Sequence, residues 1–226
     1  MKNWMITGVS RGLGKALAEA ALARGDTVIG TVRDGDPLIA KGAGVFHRLS
    51  LNMRDPQAIE AVASRTLELV DRLDVVVNNA GHGLLGPIES VSDAEMTSLF
   101  ETNVFGPMRL IRAVLPRLRA QRSGHIINIT SIAGRAPNPG SGVYAATKAA
   151  LEGLSKALSH ELAPLGIKVT AVAPGAFRTD FLSDHSIRRT QAGSDSGDYA
   201  ASVAGLALGH RSLLPTLSDA CGATTR

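Results

Sequence analysis

Six short runs of aliphatic and β-branched residues recur along the chain at about residues 4–7, 27–32, 45–49, 74–77, 126–129 and 168–173, alternating with longer helical patterns. Runs this short and this apolar suit strands buried on both faces of a parallel sheet, since an antiparallel surface sheet would show alternating polarity. Parallel strands need crossover connections. The patterns at about residues 13–24, 93–119 and 144–162 supply helices for them, as does a helix opened by Asp55-Pro56 as cap and first residue. Right-handed crossovers make a doubly wound α/β sheet of Rossmann type the expected architecture, with ligands at the carboxyl ends of the strands. At 226 residues the chain is long enough for a single domain with a substantial core.

Residues 193–226 break this pattern. They contain no Lys or Glu, and Gly, Ser and Ala supply 16 of the 34. A short helix over about 200–208 fits, but no β-branched run offers a further strand, so the sheet is expected to lack a seventh strand. Residues 1–183 are therefore read as the dinucleotide-binding and catalytic part, and 184–226 as an atypical substrate-lid or tail segment of the same domain.

Composition narrows the partners. The net charge of +4 comes from dispersed Lys and Arg, and aromatics make up 4% of residues. A long basic stripe or a stacking platform for nucleic acid is missing. No apolar run approaches the roughly 20 residues that span a bilayer. The N-terminus enters a glycine motif within eight residues, leaving no room for a secretory leader, and Cys221 stands alone. Both point to the cytoplasm. His47, His125, His160, His185 and His210 have no second ligand at metal-binding spacing, so no metal site is expected. His82, beside the Asn79-Ala80-Gly81 turn, could touch a ligand, but a solvated loop histidine is the preferred reading.

The first strand runs into Thr7-Gly8-Val9-Ser10-Arg11-Gly12-Leu13-Gly14, followed by a helix. Glycines there let the backbone approach a diphosphate, whose charge the helix N-terminus stabilises. An NAD site wants a carboxylate about 20 residues further on, at the end of the second strand. Arg33 occupies that place, with Asp34 one step later. The guanidinium fork of Arg33, joined by Arg11, suits a 2′-phosphate, so NADP(H) is preferred while Asp34 keeps NAD(H) open.

Tyr144 and Lys148 are four apart and share one helix face. Bringing a phenol from about pH 10 to about 7 takes roughly 4 kcal/mol. An ammonium about 4 Å away at an effective dielectric near 20 supplies about that much. Ser131, at the end of the fifth run, could bond a substrate carbonyl or the tyrosine oxygen. Asn103, in mid-helix, is locally unfavourable and so suits a buried or water-holding role.

Taken together, these residues resemble the short-chain dehydrogenase/reductase family in its single-domain, NADP-preferring branch. The resemblance covers about residues 3–183 and extends to Asn78-Asn79-Ala80-Gly81 and Pro174-Gly175-Ala176-Phe177-Arg178-Thr179. It implies a catalytic set of Asn103, Ser131, Tyr144 and Lys148. Cofactor contacts would come from Gly8, Ser10, Arg11, Gly12, Leu13, Gly14, Arg33, Asn52, Asn79, Ala80 and Gly81, with Tyr144, Lys148, Pro174, Gly175, Phe177 and Thr179. Asn52 stands where the family usually carries Asp beside adenine. The stretch from Asn79 to Glu89 is similar to the steroid- and retinol-dehydrogenase-like subgroup, which implies a small, apolar carbonyl or alcohol substrate. The resemblance also implies a homodimer, with a tetramer left open by the tail. The alternative is a catalytically impaired NADP(H)-binding relative with a regulatory role.

Overall fold

The computed structural model describes residues 1–40, 42–175, 187–190 and 197–199. Its main sheet has six parallel strands in the order β3-β2-β1-β4-β6-β7. These are β1 (Asn3–Thr7), β2 (Thr27–Val32), β3 (Val45–Ser50), β4 (Val75–Asn78), β6 (Gly124–Ile129) and β7 (Ile167–Val172). The chain starts in the middle, winds outward through β2 and β3, then crosses to β4 and winds the other way. The order therefore reverses between β1 and β4, and the carboxyl ends of those strands open a crevice.

Neighbouring residues on a strand serve opposite faces. Met5 and Val76 join one core with Ile59, Val62 and Ala63 of α2 (Pro56–Leu69), and with Leu110, Ile111, Val114 and Leu118 of α4 (Gly106–Gln121). Ile6, Val75 and Val77 point the other way, into a core with Ala18, Ala21 and Leu22 of α1 (Gly12–Ala23). Leu110, Val114 and Leu118 are fully buried. Truncating one such leucine to alanine costs about 2–5 kcal/mol.

One expectation needs correction. The stretch expected as one helix over about 93–119 is α3 (Asp93–Phe100), a π-helical turn (Glu101–Phe105) and α4. The extra residue in that wider turn brings Asn103 inward, where it is 1% exposed. There was also no expectation of β5 (Gly83–Leu85) and β8 (Ile187–Arg189), which pair in parallel as a separate two-stranded sheet. Most of the atypical tail, including the helix expected over about 200–208, lies outside the described residues. No described helix is long and apolar enough to cross a membrane.

Candidate active site

The floor of the crevice is a weld between β1 and β4. Thr7 Oγ1 accepts from the backbone N–H of Asn79 and of Ala80, both at 3.0 Å, and donates to Val77 O. Asn79 Nδ2 donates back to the carbonyls of Thr7 and Gly8 at 2.8 and 2.9 Å. Two glycines make this closeness feasible. Gly8 has φ +73°, and a Cβ on Gly14 would lie 2.3 Å from both Gly8 O and Asn79 Nδ2. The helix that follows has no side-chain cap, so the N–H groups of its first turn are left for a ligand.

Above this floor runs a cleft of about 500 Å³. Every residue expected to touch a cofactor lines it, except Phe177 and Thr179, which lie outside the described residues. Arg33, Asp34 and Asn52 mark one end, and Ser131, Tyr144, Lys148, Pro174 and Gly175 the other. Arg33 Nε is ion-paired with Asp34 at 3.0 Å, so the two residues that argued for different dinucleotides hold each other. Asn52 Oδ1 already accepts from Arg54 N at 3.1 Å and keeps one lone pair for another donor.

At the far end, α5 (Gly142–Leu162) lays Tyr144 and Lys148 along the cleft wall. A buried chain of bonds fixes the helix to the sheet. Asn78 Nδ2 donates to Asn128 Oδ1, and Asn128 Nδ2 to Ser155 Oγ, each at 2.8 Å. The Tyr144 phenol is hydrogen-bonded to the Ser131 side chain. Ser131 Oγ also accepts from Ala133 N at 3.1 Å, so it caps the short turn after β6 as well. The Lys148 ammonium donates to Ile129 O at 2.8 Å and lies 5.8 Å from the centre of the Tyr144 ring.

The electrostatics differ from the simple charge arithmetic. Burial pushes the Tyr144 phenol above its ordinary value, with the Ser131 hydrogen bond opposing it. Burial also pulls Lys148 down to about 8. Desolvation penalises the phenolate and the ammonium alike, and it is the leading cause of both shifts. At neutral pH the phenol therefore keeps its proton and the lysine its charge.

Asn103 stands behind the wall rather than in it. Its Nδ2 donates to His82 O at 2.9 Å and to Thr147 Oγ1 at 3.2 Å, and its Oδ1 accepts from His82 N at 3.1 Å. Both donors are used, which leaves an acceptor lone pair on Oδ1.

His82 corrects the reading of a solvated loop residue. It lines the cleft and is pulled down to about 4 by burial, then by the charges of Arg188, Arg54, Arg33 and Lys148. Arg54 and Arg188 were not singled out in the sequence, yet both line the cleft. The faint signal for Arg188 was a cation beside β-branched Ile187 and Thr190.

The arrangement fits a dinucleotide. A close-approach glycine turn and an uncapped helix start suit a diphosphate, Arg33 stands at one end of the groove, and a buried ammonium beside a phenol stands at the other. The family model described as short chain dehydrogenase matches residues 2–190. The 3-oxoacyl-(acyl-carrier-protein) reductase FabG of Salmonella typhimurium is 40% identical over 183 residues, covering 78% of this chain and 73% of that protein. A short-chain dehydrogenase structure from Streptomyces avermitilis superposes with a TM-score of 0.84 at 43% identity, covering 92% of this chain and 76% of that one. A metagenomic short-chain oxidoreductase in complex with NADP gives 0.74 at 36% identity, covering 78% and 83%.

Proposed function

Because the chain belongs to the short-chain dehydrogenase family, we propose that it is an oxidoreductase moving a hydride between NADP(H) and a carbonyl or secondary alcohol. The observation that carries the reading is the buried Tyr144 phenol, hydrogen-bonded to Ser131 with the Lys148 ammonium one turn away on the same cleft wall.

The dinucleotide supplies or accepts the hydride; the chain's residues bind, orient and move the proton. Ser131 Oγ orients the substrate oxygen, and Tyr144 donates its proton to that oxygen during reduction or withdraws it in reverse. A phenol that keeps its proton at neutral pH suits the reductive direction. Lys148 holds the nicotinamide ribose and, as a buried cation, favours the phenolate left behind. Asn103 Oδ1 offers a water the acceptor through which the proton is replenished towards Lys148.

Preference for NADP(H) is supported by Arg33 at one end of the cleft, by Arg11 of the glycine turn, which lines the same cleft, and by the NADP complex named for a related structure. NAD(H) stays open through Asp34. An apolar substrate follows from the sequence resemblance. A homodimer would use the helices from about Asp93 and about Tyr144, and Phe105 and Met108, 42% and 41% exposed, support the first of these faces. A panel of aldehydes, ketones and alcohols, assayed with NADPH and NADH in parallel, tests the function. Turnover that is faster with NADPH is expected. Dinucleotide binding with no turnover on any member of the panel would overturn it.

A further inference from the structure

The small sheet of β5 and β8 places a cation that the mechanism above does not use. Leu84 stands opposite Arg188 in the ladder. Thr190 extends it: its N–H donates to Leu85 O at 3.0 Å, and its Oγ1 lies 3.0 Å from Ser90 Oγ. A Cβ on Gly86 would fall 2.4 Å from Thr190 Cγ2, so the bare glycine is what lets the segment dock this closely. Successive strand residues alternate in direction. Of the three residues of β8, Arg188 is the one that lines the cleft.

Among the described residues, Arg188 has no carboxylate partner. Other cations along the cleft are placed differently: Arg33 is held by Asp34, and Lys148 by Ile129 O. His82 locates Arg188 along the groove. It follows β4 at the centre of the sheet order and directly precedes β5, whose Leu84 stands opposite Arg188. The β5–β8 ladder thus sets Arg188 on the cleft beside the point where the strand order reverses, between the 2′-phosphate end and the tyrosine end. The glycine turn with its uncapped helix start lines the same cleft.

We propose that Arg188 is a binding residue for the diphosphate of the dinucleotide, which it would grip together with the N–H groups of the glycine turn. This rests on the dinucleotide reading given above. A planar fork of donors suits two phosphate oxygens, and a cation without a carboxylate partner among the described residues gives up no ion pair there to reach them. Because both nicotinamide dinucleotides carry the diphosphate, Arg188 should not distinguish them. Arg33, facing the 2′-phosphate, should.

The test is equilibrium binding of NADPH and of NADH, followed by nicotinamide fluorescence, to the full chain and to Arg188→Gln, Arg188→Lys and Arg33→Gln. Arg188 is exposed, and a thermal melt checks that each variant is folded. Arg188→Gln is expected to raise Kd for both dinucleotides by a common factor of roughly 10. Arg188→Lys should recover much of the loss, and Arg33→Gln should weaken NADPH alone. Unchanged Kd values in folded Arg188→Gln would overturn the proposal. So would a defect confined to the KM of substrates bearing a carboxylate or phosphate, which would put Arg188 on the substrate instead. A wild-type chain that binds neither dinucleotide would overturn the parent reading, and this one with it.

Discussion

Asn103 Oδ1 and Lys148 Nζ both approach the bare Cα of Gly81: a Cβ built there would lie 3.0 Å from the oxygen and 3.8 Å from the nitrogen. The glycine thus preserves a gap between an acceptor with a spare lone pair and a buried ammonium, the setting a bridging water needs.

Gly81→Ala puts a methyl group into that gap. If the gap carries the proton relay, kcat should fall by about 10- to 100-fold, more than any loss of NADPH affinity that the methyl group causes where Gly81 lines the cofactor cleft. Steady-state kinetics beside fluorescence titration measures both. An unchanged kcat would show that the gap carries no proton.

Gly14→Ala acts on the floor instead. The added Cβ meets Gly8 O and Asn79 Nδ2 at 2.3 Å, and one of these neighbours is backbone. The weld must shift, at a cost of about 1–3 kcal/mol in stability. Chemical denaturation should show that loss, and dinucleotide affinity should fall with it. Full stability would mean that the strand ends are less tightly joined than the Thr7 and Asn79 bonds imply.

The sheet and the glycine turn were legible in the sequence because both depend on local pattern. Apolar runs mark buried strands, and a glycine cluster between strand and helix marks a close approach. Asp55 shows the same legibility, its carboxylate accepting from Gln57 N and Ala58 N as its position before Pro56 predicts. What stayed hidden depends on distant partners. β5 and β8 are three residues each and pair across about a hundred residues. The cations around His82 come from four separate parts of the chain, so the flanking Gly81 and Gly83 gave no hint of them. Asn103 was legible as an oddity in a helix, but not as the residue that the π-turn brings onto the His82 backbone. The direction of the Tyr144 shift was missed because Coulomb arithmetic in a uniform medium omits the burial of both partners.

Lys148 gives a stability profile with a definite sign. Burial lowers it from 10.5 to about 8. Below pH 8 it is charged in both folded and unfolded chains, and the penalty is fully present. Between about 8 and 10.5 the unfolded chain binds more protons, so this residue's contribution to stability improves as pH rises. The gain is on the order of 3 kcal/mol. Denaturation of wild type and Lys148→Met across this range should show the variant relatively more stable near pH 7, with the difference shrinking towards pH 10.5. A difference independent of pH would mean that Lys148 titrates normally.

His82 should stay neutral through the physiological range. Its imidazole is pulled from 6.5 to about 4 by burial and by the charges of Arg188, Arg54, Arg33 and Lys148. Between about 6.5 and 4 the unfolded chain takes up a proton that the folded one refuses, so stability contributed here is lost as pH falls. NMR titration of the imidazole, assigned through His82→Gln, should find its midpoint well below 6.5. A midpoint at or above 6.5 would place the ring in solvent, away from those cations.

The central claim concerns Tyr144, and Tyr144→Phe tests it most directly. The substitution removes one oxygen, the atom bonded to Ser131, and leaves the buried ring in place. With a carbonyl substrate identified from the panel, the variant should bind NADPH as the wild type does while kcat for reduction falls by about 10²–10⁴. Turnover at the wild-type rate, with the dinucleotide bound equally well, would contradict the account.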